Sequence, residues 1–290
     1  MQLRSLAAAL FGVLAFACGS DPIHSTPPPA SSAEPVTCDE PTYADATLMG
    51  GETGTVTLTV HDPDGAAVVG TPVTVCGVNV CSDIKHTDMD GTTSVPAISA
   101  AVIKPALKFG DALTYAELAI LLDDPAKGGV FSELTLPALP ATGDPILPGG
   151  TATSNGVTLT LTKDATFKFI DNLTYTTPDS QALRAAELTP DHFPDGLDHG
   201  AGLERIFTLA PLGAKICPPA TLSLPNSAAW DPGTSVEFLV QGLQVEEDEP
   251  FAPYGEWQSV ATGVVDPSGA TLVTTLGGLP IVSNVGVRRL

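Results

Sequence analysis

The chain has 290 residues, 33 of them acidic against 12 basic, with 28 glycines and 27 prolines. So much glycine and proline argues against a helix bundle, while 43% hydrophobic and 16% charged residues supply a core and argue against wholesale disorder. A formal charge of −21 repels phosphate backbones and anionic lipid surfaces, which excludes nucleic acid as a partner.

The N-terminus reads as an export signal: Arg4 supplies a positive charge, and Leu6 to Phe16 is an apolar run of about 11 residues, too short to span a bilayer. The run ends in Ala15-Phe16-Ala17-Cys18, which resembles a bacterial lipobox. It departs from the usual pattern in having Leu14 four places before the cysteine and a bulky Phe16. The resemblance implies cleavage after residue 17 and acylation of Cys18, with residues 18–37 as a Pro/Ser-rich tether containing Pro27-Pro28-Pro29. Gly19, rather than Asp, after the cysteine implies the outer membrane. The alternative is a secreted protein cut at the same Ala-x-Ala site.

Cleavage removes Arg4 and no acid, leaving 33 acids against 11 bases. Four cysteines then remain for an oxidising compartment, Cys38, Cys76, Cys81 and Cys217, and three pairings can be drawn. Cys76 and Cys81 would staple a local turn, worth about 2 kcal/mol in loop entropy; by elimination Cys38 and Cys217 would close a loop of about 180 residues, worth about 5 kcal/mol if unstrained. A metal site is disfavoured, because Cys-x4-Cys has no second pair.

Along the mature chain, strand-like runs alternate with turn signals, the pattern of all-β sandwiches. Thr53 to Val60 alternates strictly, with Val56, Leu58 and Val60 on one face and threonines on the other. Asp62-Pro63-Asp64-Gly65 predicts a turn, Pro72 to Val80 a strand, Asp88-Met89-Asp90-Gly91 a second turn and Thr92 to Ile98 a strand. Lys104 to Gly110, Ala112 to Leu122 and Phe131 to Leu139 complete the set, Ala112 to Leu122 being strand on context against its helical composition.

His61-Asp62-Pro63-Asp64-Gly65, Val68-Val69-Gly70-Thr71-Pro72-Val73 and Thr87-Asp88-Met89-Asp90-Gly91 fall in an order that resembles carboxypeptidase regulatory-domain-like modules. This implies a transthyretin-like sandwich, without catalytic chemistry of its own, across residues 38–145. Pro137 to Gly150 reads as a linker. Beyond it, Gly150-Thr151 to Leu161, Phe207 to Ala214 followed by Pro218 to Pro225, and Trp257-Gln258-Ser259-Val260 with Asp266-Pro267-Ser268-Gly269 and Thr271 to Thr275 resemble ZU5-type β-sandwiches. That resemblance implies a second module over residues 146–290. Some ZU5 relatives cleave themselves after His-Phe; here His192-Phe193 is followed by Pro194, which has no nucleophile.

Hydrolase, zincin, P-loop and C-x-x-C motifs are all missing. One cluster, Asp191 to His199, sets His192, Asp195, Asp198 and His199 close enough in sequence to be weak metal candidates, against a solvated Gly/Pro loop as the plainer reading. Asp62, Asp64, Asp88 and Asp90 could offer calcium oxygens but lack an EF-hand continuation, so turn formation is the simpler account. Glu246-Glu247-Asp248-Glu249 reads as a solvated run. Trp230, Tyr254 and Trp257 could stack a sugar or cap a core.

The expectation is therefore an all-β, lipid-anchored surface protein of two tandem sandwiches after a signal peptide and tether. It needs no cofactor, is not an enzyme, and has a structural, adhesive or ligand-binding role toward a cationic protein or glycan. The alternatives are a secreted metal-dependent enzyme centred on His192 and His199, and a soluble carbohydrate-binding accessory protein. No residue set identifies the ligand.

Overall fold

A computed structural model of the chain describes residues 52–76, 81–98, 102–105, 115–121, 130–168, 177–194, 196–243, 251–253 and 255–290. The export signal, Cys18, the tether and Cys38 lie outside these residues, as do Asp195, Glu246 to Glu249 and Tyr254.

The protein is all-β; among the described residues the only helical turn is a three-residue 3-10 segment, Pro190–His192. The N-terminal part contains β1 (Glu52–His61), β2 (Pro72–Cys76), β3 (Lys85–His86), β4 (Thr92–Ile98), β5 (Val102–Pro105), β6 (Ile120–Leu121) and β7 (Val130–Thr135). They form two sheets, ordered β4-β1-β7 and β3-β2-β5-β6. The strict alternation in β1 determines its packing: Val56, Leu58 and Val60 are buried, while Thr57 and Thr59 share hydrogen bonds with Ser94 and Thr92 of β4 on the outer face. The two sheets enclose one apolar cluster that includes Val73 and Val75 of β2, Val95 of β4 and Leu134 of β7.

The segment Tyr115 to Leu121 departs from the expected strand. Only Ile120–Leu121 is paired in a ladder, and Ala116 to Ala119, outside any ladder, are buried with Ile120. A helix would bury one stripe of such a segment; here every residue from 116 to 120 is covered, and its carbonyls bond to side chains instead.

The C-terminal part contains β8 (Asp144–Pro145), β9 (Thr151–Ser154), β10 (Val157–Thr160), β11 (Thr166–Lys168), β12 (Ala182–Leu188), β13 (Arg205–Ala210), β14 (Lys215–Pro225), β15 (Ser235–Gln241), β16 (Trp257–Val265), β17 (Thr271–Gly277), β18 (Leu279–Ile281) and β19 (Val285–Arg289). Its sheet runs β8-β12-β13-β19-β15-β16-β17-β14-β10-β9, with β11 and β18 added on β14. The pairs are antiparallel, whereas β1 and β7 run parallel. This sheet folds over a second core that includes Leu159, Phe207, Phe238 and Val285. Its ends come together: Asp144 Oδ2 accepts the Thr153 amide at 3.0 Å, Ser154 Oγ accepts the Ala185 amide at 3.0 Å, and Asn155 Nδ2 donates to the Ala185 carbonyl at 2.8 Å.

The stretch Pro137 to Gly150, although largely exposed, is tied to the body at several points. β8 pairs with Ala182 and Leu183, Leu139 and Ile146 are buried, and a Cβ on Gly143 would lie 2.0 Å from the Leu183 oxygen, so only glycine fits there. All described residues lie in one compact unit, Ser32–Leu290. Within it the N-terminal core continues onto Leu188, Leu197, Leu203, Ile206 and Leu239, the outward face of β12, β13 and β15 together with the loop that covers it.

Candidate functional site

The Asp191 to His199 cluster lies in the loop between β12 and β13. Thr189 is extended and Pro190 opens the 3-10 turn, which the His192 amide closes on the Thr189 carbonyl at 2.9 Å. The His192 ring meets the Thr189 hydroxyl at 3.2 Å and is exposed. Asp198 is turned inward on its own chain: Oδ1 accepts the Leu203 amide at 2.7 Å and Oδ2 the Gly202 amide at 3.1 Å. This is the usual work of an aspartate at a turn, holding amides that would otherwise lack partners. His199 is exposed, with φ +44°.

Two further side chains fix the loop. Trp257 Nε1 donates to the Leu197 carbonyl at 2.7 Å, and the Arg288 guanidinium bonds to the Ala201 carbonyl. Leu197 and Leu203 are buried beneath it, with Phe193 half-buried against the same cluster. The loop is thus a cover for the sheet, and among the described residues no group of three or more His, Cys, Asp or Glu side chains could hold one ion.

The aspartate turns repeat one geometry. Asp62 Oδ1 accepts the amides of Asp64 and Ala66 at 3.0 and 2.8 Å; Asp88 Oδ1 accepts those of Asp90 and Thr92 at 2.9 Å each; Asp266 Oδ1 accepts those of Ala270 and Thr271 at 2.9 and 3.2 Å. The Ser268 hydroxyl and the Thr271 amide hold the Asp266 carboxyl below the usual aspartate range.

The tryptophans belong to different cores. Trp230 packs on the cluster inside the C-terminal sheet, under the Arg289 guanidinium at 5.6 Å, whereas Trp257 packs on the cluster shared with the N-terminal part. Each is half-buried, as a core-capping side chain is.

Sequence reasoning missed the groups that join the layers. Glu237 and Gln241 are buried on β15, and Asn284 is buried just before β19. Glu237 Oε2 receives Arg288 Nε at 2.8 Å and Nη2 at 2.7 Å. Gln241 Nε2 donates to the Ala119 carbonyl at 2.6 Å, and Asn284 Nδ2 to the Glu117 carbonyl at 3.0 Å. The alternation Glu237, Leu239, Gln241 was the available signal, but it reads equally as a water-facing side.

Cys76 and Cys81 form a disulfide, which agrees with the local staple. Cys217 is also disulfide-bonded, with its partner outside the described residues. No described helix is long and apolar enough to cross a membrane.

The chain matches no family model. No curated protein matches it. Among solved structures, the major pilin subunit of Bacillus cereus aligns over 81% of this chain and 87% of its own at 12% identity, with a TM-score of 0.20, too loose a likeness to bear on fold or role.

Proposed function

We propose that the chain is a non-catalytic protein of the bacterial envelope, acylated at Cys18, held off the outer membrane by residues 18–37, and carrying an all-β body that presents a surface to a partner. In this reading residues 38–145 are a carboxypeptidase regulatory-like module and residues 146–290 a ZU5-like one. One observation carries it: among the described residues, a set of carboxylate and amide side chains of the kind that could do chemistry is committed to building the fold. Asp62, Asp88, Asp198 and Asp266 hold backbone amides, Glu204 and Glu237 pair with arginines, and Gln241 and Asn284 join the layers. The excess of acid over base, 33 against 12, favours a cationic protein over an anionic partner, with attraction that fades beyond about 8 Å at physiological salt.

Metal analysis of the purified protein beside His192→Ala and His199→Ala tests this reading. It expects no stoichiometric metal in any of the three. A stoichiometric transition metal in wild type, lost in both variants, would replace it with a metal-dependent enzyme.

A further inference from the structure

β9 and β10 are joined through Asn155-Gly156, the chain's single Asn-Gly pair. Both residues have positive φ, 46° and 79°, as a two-residue hairpin turn of type I′ requires. The turn also closes the sheet: Asn155 Nδ2 and Ser154 Oγ bond to the carbonyl and amide of Ala185, whose register partner on β13 is Leu209. β9 and β12 are not ladder neighbours, so these side chains satisfy backbone groups that no strand pairs across the seam.

We propose that Asn155 is a site of spontaneous deamidation and that its conversion unlatches the seam between β9 and β12. Glycine leaves the next backbone nitrogen unobstructed, having no Cβ. The Gly156 nitrogen gives its proton to solvent base and bonds to Asn155 Cγ. The Cγ–Nδ2 bond then breaks, and Nδ2 leaves as ammonia after taking a proton from water. Water adds to one of the two carbonyls of the resulting succinimide, opening it to aspartate or to isoaspartate.

Either product removes the Asn155 half of the latch, and as the turn is pushed from Ala185 the adjoining Ser154 hydroxyl is drawn off the Ala185 amide that it holds. Aspartate sets a carboxylate oxygen, which cannot donate, against the Ala185 carbonyl oxygen; isoaspartate lengthens the backbone inside a two-residue turn. The latch in turn guards the site. While Nδ2 is held at 2.8 Å the side chain does not swing toward Gly156, and one net hydrogen bond slows the attack by about fivefold.

The test incubates the mature protein at mildly alkaline pH beside a synthetic peptide of residues 151–160. Peptide mass mapping follows residue 155, charge separation isolates the aged protein, and amide hydrogen exchange is read at Ala185. The expected result is conversion at Asn155 about fivefold slower than in the peptide, with faster exchange at Ala185 in the aged fraction while the amides pairing β12 with β13 stay protected. Asn155→Asp should reproduce that exchange pattern, and if this variant does not fold, the aged wild-type fraction carries the readout. The proposal is overturned by a converted fraction whose Ala185 amide exchanges as in fresh protein, or by folded protein that converts as fast as the peptide.

Discussion

Asn284 donates its Nδ2 to Gln241 Oε1 at 2.9 Å, and each of these amides also donates to a carbonyl of the same buried segment, Glu117 for Asn284 and Ala119 for Gln241. The Ser283 hydroxyl adds a bond to the Gln241 carbonyl at 2.7 Å. The residues lie 122 and 167 positions apart from their partners, so the network joins the two parts of the chain by polar contacts, beside the shared apolar cluster that joins them by packing.

Gln241→Ala and Asn284→Ala each leave a buried carbonyl without its donor, and each is expected to cost about 1–3 kcal/mol in urea unfolding. Because the two side chains bond to each other, the double variant should cost about 1 kcal/mol less than the sum. Strict additivity would show that they act independently.

Glu237 and Arg288 are register partners on β15 and β19, with the carboxylate buried and its Oε1 without a hydrogen-bond partner among the described residues. Arg288→Met should destabilise by about 3–5 kcal/mol, since it strands a buried charge, and adding Glu237→Gln should restore most of the loss. Equilibrium denaturation of the single and double variants measures both effects, and no recovery in the double variant would refute the pairing as the cause.

The Glu204 carboxyl lies below its ordinary value of 4.5: burial works to raise it, and the Arg289 guanidinium and backbone amide outweigh that. A lowered carboxyl pKa stabilises the fold fully above the unfolded value and loses that contribution as pH falls through the folded value. The stability difference between wild type and Arg289→Gln should therefore be constant near neutrality and shrink below about pH 4.5. Urea midpoints across pH 3 to 7 check it, and a difference that grows on acidification would contradict it.

Much of the fold was legible because burial follows period two where one face meets water. The Thr/Val alternation of β1, the Asp-x-x-Gly turns at residues 62–65 and 88–91, and the strand at Thr92–Ile98 all follow this rule. β15 was not legible. Ser-Val-Glu-Phe-Leu-Val-Gln alternates as a half-exposed strand does, but its polar side is covered by the β12–β13 loop and the N-terminal part, so Glu237 and Gln241 are interior. Residues 115–121 misled for a related reason: the strand expected there is mostly unladdered chain whose Glu117 and Ala119 carbonyls bond to side-chain amides more than a hundred residues away, which no local pattern encodes. In the candidate loop the sequence placed His192, Asp198 and His199 close together, but could not show that Asp198 was already engaged with its own backbone.

Non-reducing peptide mapping should return Cys76 joined to Cys81, and Cys217 joined to Cys38, the cysteine that acylation of Cys18 leaves over. Cys217 recovered in a bridge to Cys18 would contradict both the pairing and the anchor.

Detergent phase partition of the wild type against Cys18→Ser, both expressed with the full leader, tests the anchored-body account most directly. Acylation by diacylglycerol carries enough chain to hold the protein in the detergent phase, whereas an exported body without it stays in water. The account predicts wild type in the detergent phase and Cys18→Ser in the aqueous phase; both forms in the aqueous phase would contradict it.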